Sequence, residues 1–249
     1  AERAGNADLT IRAKSVMAMC YSMNGRFLEA DRVLAGATDT LHMSRATQAA
    51  YYAAQHRQNR ECRSQSEPGA ERDRFRACEE YYARRALETT GDISKRFYFA
   101  YLVAVDEGDY DRAAAACDSA LACAPPASHD YARAAFYRSE TERFRGDEAA
   151  RFEWLVRAAM ADVQGAVRDY GALGGVAEEL LRRGDAARAM RCIRVAINDT
   201  QAYNSPIRSW RDMAILPQIE QAYSERNARL RAMYVALILL AFLFALSAI

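Results

Sequence analysis

The sequence predicts an all-α fold, a solenoid of four to five helix pairs followed by a C-terminal transmembrane helix. Three observations predict it. The first is compositional: five prolines and twelve glycines in 249 residues leave long helices free to form, and runs of alternating β-branched residues that would argue for strands are few. The second is a spacing. Gly108, Gly146 and Gly184 follow one another at 38-residue intervals (146 − 108 and 184 − 146), within the period range of helical repeat arrays. The third is the last eighteen residues, Ala232 to Ile249, which carry no charge. A spanning helix needs roughly 20 apolar residues, so this stretch is long enough only if it runs to the final residue.

The repeat pattern justifies the helix pairs one by one. Each unit is an apolar-periodic helix, a short turn of type GR or GD, and a second helix with alanine at a fixed offset. The glycine permits a left-handed turn after the first helix, and a following Asp can cap the second. Gly25 precedes Gly108 by 83 residues (108 − 25), room for two such units. Residues 44 to 90 are expected to hold a divergent pair with a longer loop at Gln65 to Arg72. After Thr200 the pattern changes, punctuated by Pro206 and Pro217. One continuous helix is expected from Pro217 into the span, with proline in the favoured first turn. The expected domains are residues 1–203 for the repeats, 204–231 for a helical neck and 232–249 for the transmembrane helix.

These units resemble the tetratricopeptide repeat. In RFYFAYLVAVDEGDYDRAAAACDSALACAPP, Ala113, Ala120 and Pro125 stand five, twelve and seventeen residues after Gly108, the offsets of that family. Around Gly184 the matching places hold Ala189, Ile193 and Ala196, and around Gly25 the pattern supplies Tyr21, Ala30, Leu34 and Ala37. The unit at Gly146 departs, with Arg151 at the small-residue position, although Leu155 and Ala158 fit. The resemblance implies a tetratricopeptide-like superhelix whose first helices line a concave, peptide-binding face. Carrying the family's groove positions over gives a ligand-binding set of Tyr98, Leu102, Phe136, Glu140, Arg143, Glu178 and Arg182. Each of Tyr98, Leu102 and Phe136 is equally well read as packing against a neighbouring repeat. The Lys and Asn pattern that clamps a C-terminal carboxylate in some members is missing. The tyrosine pairs Tyr51–Tyr52 and Tyr81–Tyr82 suit an aromatic contact surface, with at most one of each pair facing any one ligand, since adjacent helix residues point about 100° apart.

A second resemblance bears on function. The block AAMADVQGAVRDYGALGGVAEELLRRGDAARAMRCIRVAINDTQAYNSPIRSWRDMAILPQIEQAY, Ala158 to Tyr223, with its Arg-rich neck and apolar end, is similar to a family of Bacteroidetes membrane regulators. In that family an exported repeat domain precedes one transmembrane helix, a cytoplasmic coiled coil and a helix-turn-helix region. The likeness is strong over the last third and rests on repeat architecture alone before it. It implies a non-enzymatic protein- or peptide-binding domain acting as the extracytoplasmic sensor of a transcriptional regulator, in the inner membrane with the repeats periplasmic. The first residue, Ala1, fits removal of an export signal. Against this, Arg226, Arg229 and Arg231 just before the span favour cytoplasmic repeats by the positive-inside rule. A membrane-tethered assembly scaffold and a tail-anchored cytoplasmic adaptor are the alternatives.

Chemistry is scarce. His42, His56 and His129 are isolated, and no HExxH, glycine-rich phosphate loop or Gly-x-Ser-x-Gly elbow occurs, so neither catalysis nor a metal or cofactor is expected. Asp106, Glu107 and Asp109 beside Gly108 read as caps and dipole partners. Six cysteines match no metal spacing; Cys62 and Cys78 flank one loop and are either a disulfide or two small buried residues. A net charge of +1, with Lys14 and Lys95 the only lysines, gives no basis for nucleic-acid contact by this part of the chain. The expected partners are a protein or peptide ligand, the membrane through a single span, and a second copy in a homodimer.

Overall fold

The computed structural model describes residues 7–36, 43–166, 171–202 and 206–247, and among them every regular element is helical. The order is α1 (Ala7–Met23), α2 (Phe27–Ala35), α3 (Arg45–Gln65), α4 (Ala70–Thr89), α5 (Ile93–Asp106), α6 (Tyr110–Cys123), α7 (His129–Arg145), α8 (Glu148–Gln164), α9 (Gly171–Arg182), α10 (Ala186–Ala202) and α11 (Pro206–Ser247). Two compact units result: one holds α1 to α8, the other α9, α10 and α11. The first unit is a row of four antiparallel hairpins, each packed internally and against the next. The second contains one more hairpin, α9–α10, and the long helix.

The turns explain why the chain folds back at regular intervals. Gly25, Gly108, Gly146 and Gly184 all have φ between 72° and 79°, a conformation that costs an L-residue with a Cβ about 1 kcal/mol or more. After each glycine the next N–H reaches back five residues: Arg26 to the Tyr21 carbonyl at 2.9 Å, Asp109 to Ala104 at 2.9 Å, Asp147 to Glu142 at 3.0 Å and Asp185 to Leu180 at 2.8 Å. That bond satisfies a carbonyl the helix end leaves free. Asp109, Asp147 and Asp185 then accept from the backbone N–H groups of Arg112, Ala150 and Arg188, each at 2.9 Å. One dipeptide therefore closes one helix and caps the next.

The alanines at the fixed offset mark where helices cross. Ala30, Ala113 and Ala189 are fully buried, as are the apolar residues four places on, Leu34, Cys117 and Ile193; Leu155, four places after Arg151, is buried too. A larger side chain at the alanine positions would push the helices apart. At the Gly146 unit Arg151 is half-buried with its guanidinium on Glu148, and the paired helix carries Glu142 where its neighbour has Ala104. Arg138 and Arg145 both hold that buried Glu142, and Arg138 also reaches Asp118 on α6 at 2.9 Å. Ion pairs thus tie α7 to α6, and within the fourth hairpin paired charged side chains stand at positions where the third has small residues. Ala37 lies outside the described residues.

Four expectations need correction or completion. The loop at 65–72 is short: α3 ends at Gln65 and α4 begins at Ala70, because both helices are long and pack along their length. Pro217 lies inside α11, and the first-turn proline is Pro206; its ring still removes the N–H that would bond the Met213 carbonyl. Tyr51 and Tyr52 form no contact surface. Both are buried, since α3 packs against α1 on one side and α4 on the other, which covers two adjacent directions at once. Tyr81 is exposed and Tyr82 half-buried. All six cysteines carry free thiols, Cys62 and Cys78 included.

Buried polar groups in the first unit are used for joining. Gln58 on α3 accepts from the Ser22 hydroxyl at 2.5 Å and donates to the Phe27 carbonyl at 3.0 Å and to Asp31 at 2.9 Å. It fastens the first hairpin, at both helices, to the second. A buried amide with all partners satisfied specifies one packing, whereas an unsatisfied one costs about 1–3 kcal/mol.

Candidate functional site

The first helices of the second, third and fourth hairpins, α3, α5 and α7, share one face, and its centre is a cation between two phenols. Arg60 on α3 donates from Nη1 to the Tyr98 hydroxyl on α5 at 2.9 Å and to the Tyr137 hydroxyl on α7 at 3.5 Å. The two tyrosine rings lie 5.4 Å apart. Burial, then the neighbouring Tyr137, pushes the Tyr98 phenol up, so it stays a neutral group able to accept from Arg60. Among the described residues Arg60 pairs with no carboxylate, unlike its neighbours on α3: Arg57 meets Glu61 at 3.4 Å and Arg63 meets Glu79 at 2.6 Å. A guanidinium stays charged at any physiological pH and has five donors. It is suited to an acceptor group supplied from outside.

A small cavity of about 110 Å³ opens beside this cluster, lined in part by Ile93, Phe97, Tyr98, Ala120, Arg133 and Tyr137. Arg133 sits at its rim. Its Nη2 donates to the Ser94 hydroxyl at 2.7 Å and to Asp130 at 2.8 Å, and its guanidinium lies 5.6 Å from the centre of the Tyr98 ring. The space is about that of one apolar side chain, and its lining is mostly apolar, with Ser94, Asp130 and Arg133 contributing polar groups.

Beneath the face lies His56, fully enclosed, with its ring edge-on to Tyr98 and Phe99. Burial, followed by the charges of Arg60, Arg57 and Arg63, lowers its pKa to about 3. It is a neutral core group at physiological pH. At the far end of α5, Asp106 has its pKa raised to about 6 by burial and by Glu80 and Glu79. Its neighbours serve the turn: Asp109 caps α6, and Glu107 pairs with Arg84 at 3.3 Å and Arg112 at 2.5 Å. Among the described residues no group of three His, Cys, Asp or Glu side chains could hold a metal.

The seven sequence-derived ligand positions divide. Tyr98 belongs to the cluster, yet its ring also packs on the apolar core of the first hairpins. Leu102 is half-buried and bridges two core clusters. Phe136 is half-buried with its ring 5.8 Å from Tyr137. Glu140 and Arg143 pair with each other at 2.7 Å on α7. Glu178 and Arg182 lie in the second unit, where Arg182 pairs with Glu179. Sequence reasoning missed Arg60, Arg133 and Tyr137. The arginines at 57, 60 and 63, three apart on one helix, were the available signal.

An array of antiparallel helix pairs with glycine turns and small crossing residues, presenting first helices on one face, defines a tetratricopeptide-repeat domain. Residues 1–213 match the family model described as the SusR N-terminal TPR domain, and the chain belongs to that family. No curated protein and no solved structure matches it. Beyond the repeats, α11 carries a stretch, Met213–Ser247, long and apolar enough to cross a membrane.

Proposed function

We propose that the chain is the sensing part of a single-pass membrane regulator, with residues 1–203 as a periplasmic repeat domain, 204–231 as a neck and 232–249 as the inner-membrane span. The observation that carries this reading is α11, one helix from Pro206 to Ser247 that joins the family's repeat domain to the apolar segment. A protein or peptide ligand on the α3–α5–α7 face would change the packing of the repeats, and α11 would pass the change to the bilayer. A signal of this kind requires that the ligand bind two states with different affinity. No step of the reading needs an enzyme activity.

The ligand class is an acidic peptide segment. Arg60, with Tyr98 and Tyr137, offers hydrogen-bond donors to a carboxylate, and the adjoining cavity takes a neighbouring apolar side chain. Phe136, Glu140 and Arg143 extend the face along α7. A photoreactive residue at Phe136 is expected to crosslink the bound segment in cells, with Arg60→Gln reducing capture roughly tenfold, the effect of losing one charge-assisted bond. An unchanged yield would remove Arg60 from the site.

Topology tests the sensor reading. Glu67, exposed in the α3–α4 connection, is changed to Cys in a chain lacking its native cysteines and treated with a membrane-impermeant thiol reagent. Labelling with only the outer membrane opened places the repeats in the periplasm. Protection until the inner membrane is lysed favours the second reading, a tail-anchored adaptor with cytoplasmic repeats, which the arginines at 226, 229 and 231 support through the positive-inside rule.

A further inference from the structure

The first helix, α1, opens the row of hairpins with apolar residues on both of its faces. Its inner face packs against α2 and α3 and buries Ser15, Ala18 and Ser22, with Ile11 and Met19 on the apolar core. Its outer face exposes Leu9, Ala13, Val16, Cys20 and Met23, which follow one another at intervals of four, three, four and three residues. That is the spacing of a seam between two helices. Val16 is 60% exposed, and the patch is extended by Met17 at 46% and, at the start of α2, by Leu28 at 71%. A helix apolar all round is normally covered all round, and the end unit of a repeat array normally turns a polar face outward.

Charge does not explain the stripe, and size and shape do. Of the charges on α1, Asp8 accepts from the Ser44 N–H at 3.3 Å, Lys14 is half-buried, and Arg12 is exposed at the edge. On α2, Arg26 and Glu29 pair at 2.8 Å, Asp31 accepts from Gln58, and Arg32 is exposed. None stands in the stripe. Its exposed side chains amount to on the order of 500 Å², so two copies joined here would bury about 1,000 Å², the size at which specific interfaces begin. Along the stripe, large and small residues alternate. Laid antiparallel with residue i level with residue 29 − i, Val16 of each copy meets Ala13 of the other, and Leu9 meets Cys20. Laid parallel, Ala13 would meet Ala13 and Cys20 would meet Cys20, leaving voids held open by Leu9, Val16 and Met23, and voids forfeit contact energy. The antiparallel setting also keeps the two Arg12 side chains five residues (17 − 12) apart, roughly 7.5 Å along the axis.

We propose that the chain pairs with a second copy of itself through α1, antiparallel about a two-fold axis passing between Ala13 and Val16. The occupant is a second copy because the stripe is complementary to itself: a two-fold axis presents the same patch from both sides, and here each large residue of one patch finds a small residue of the other. The pairing uses the repeats alone. It does not rest on the sensor reading, and its failure leaves that reading standing.

The experiment uses the whole chain in detergent micelles at micromolar concentration. Sedimentation of the otherwise unaltered chain should give a dimer, and Val16→Glu should raise its dissociation constant roughly a hundredfold, the effect of an unpaired charge at an apolar contact. Val16 points outward, so the helical circular dichroism should not change. The register is read by disulfide crosslinking in a chain whose only native cysteine is Cys20. Adding Leu9→Cys should give a linked dimer on mild oxidation, and Cys20 alone should give roughly tenfold less, because the two Cys20 thiols stand eleven residues (20 − 9) apart, about 16 Å along the seam, beyond the reach of a disulfide. A monomer at these concentrations overturns the pairing, as would be found if another helix or a different protein covered the stripe. A dimer that Val16→Glu leaves intact overturns it too, since the copies are then joined elsewhere. Cys20 crosslinking to itself as well as to Leu9→Cys overturns the antiparallel arrangement.

Discussion

His56 and Asp106 carry opposite pH dependences, and single substitutions should separate them. For His56 the folded pKa of about 3 lies below the unfolded value near 6.5, so between those values the unfolded chain binds more protons. Its contribution is intact above pH 6.5 and is lost toward pH 3, at up to about 1.4 kcal/mol per pH unit. For Asp106 the folded pKa of about 6 lies above the ordinary 3.8. Stability then is fullest below pH 4 and falls as pH rises to 6, by less than half that slope because the carboxyl is only partly desolvated on an otherwise exposed residue and solvent screens it. Thermal melts across pH 4 to 7 should show His56→Gln reversing the acid lability, and Asp106→Asn raising the midpoint at pH 7 but not at pH 4. A second residue-scale test is steric. A Cβ on Gly165 would stand 2.3 Å from the Ala127 carbonyl oxygen, which is backbone and cannot turn aside. Gly165→Ala should cost about 2 kcal/mol or more in a denaturant titration, a value typical of overpacking at a backbone contact. Gly108→Ala meets open space and should cost only the left-handed strain, about 1 kcal/mol.

Among the helices, α11 is where proline matters. Pro217→Ala restores an N–H for the Met213 carbonyl and removes the ring clash, so the mutant neck should be straighter. Spin-label distances between Met213 and Asn227 should narrow in distribution, and a sensor relying on give at this point would lose ligand response. What was legible in the sequence at this scale was local. The glycine turns, the Asp caps and the alanine crossings each depend on residues within about five positions, and all could be read from spacing. Pro217 was misread because proline punctuates sequences in general, whereas Pro206 had already supplied the helix start. The α3–α5–α7 cluster was not legible as a cluster, since Arg60 meets partners 38 and 77 residues away; the arginine spacing at 57, 60 and 63 marks a face of α3 but not what that face meets. Tyr51 and Tyr52 misled for a related reason: neighbours on two sides of α3 bury both, and a single amphipathic stripe does not describe such a helix.

For the proposed membrane span, the decisive quantity is how much of α11 a bilayer would take up. Its 42 residues extend about 63 Å, and roughly 30 Å of that suffices for the hydrocarbon core. The rest must stand in water or against protein, which agrees with the full burial of Ile219. A lysine at Leu240, near the middle of the apolar run, should impair membrane integration by about 3 kcal/mol, while the same residue at Tyr234, near its edge, should cost far less; alkaline extraction of membranes distinguishes the two. The first unit obeys a different rule, because each hairpin packs mainly against the next, with Arg60 reaching from the second hairpin to Tyr137 on the fourth.

That mainly local packing makes the 38-residue interval between the glycines a self-contained length of chain. Removing residues 109–146 would join Gly108 directly to Asp147 and recreate the same Gly-Asp junction, with the left-handed turn and the cap both intact. The shortened chain is expected to keep its helix phase, and duplication of the same segment would lengthen the array by one register-preserving step. The length of the α3–α5–α7 face is thereby set in whole steps of one helix pair.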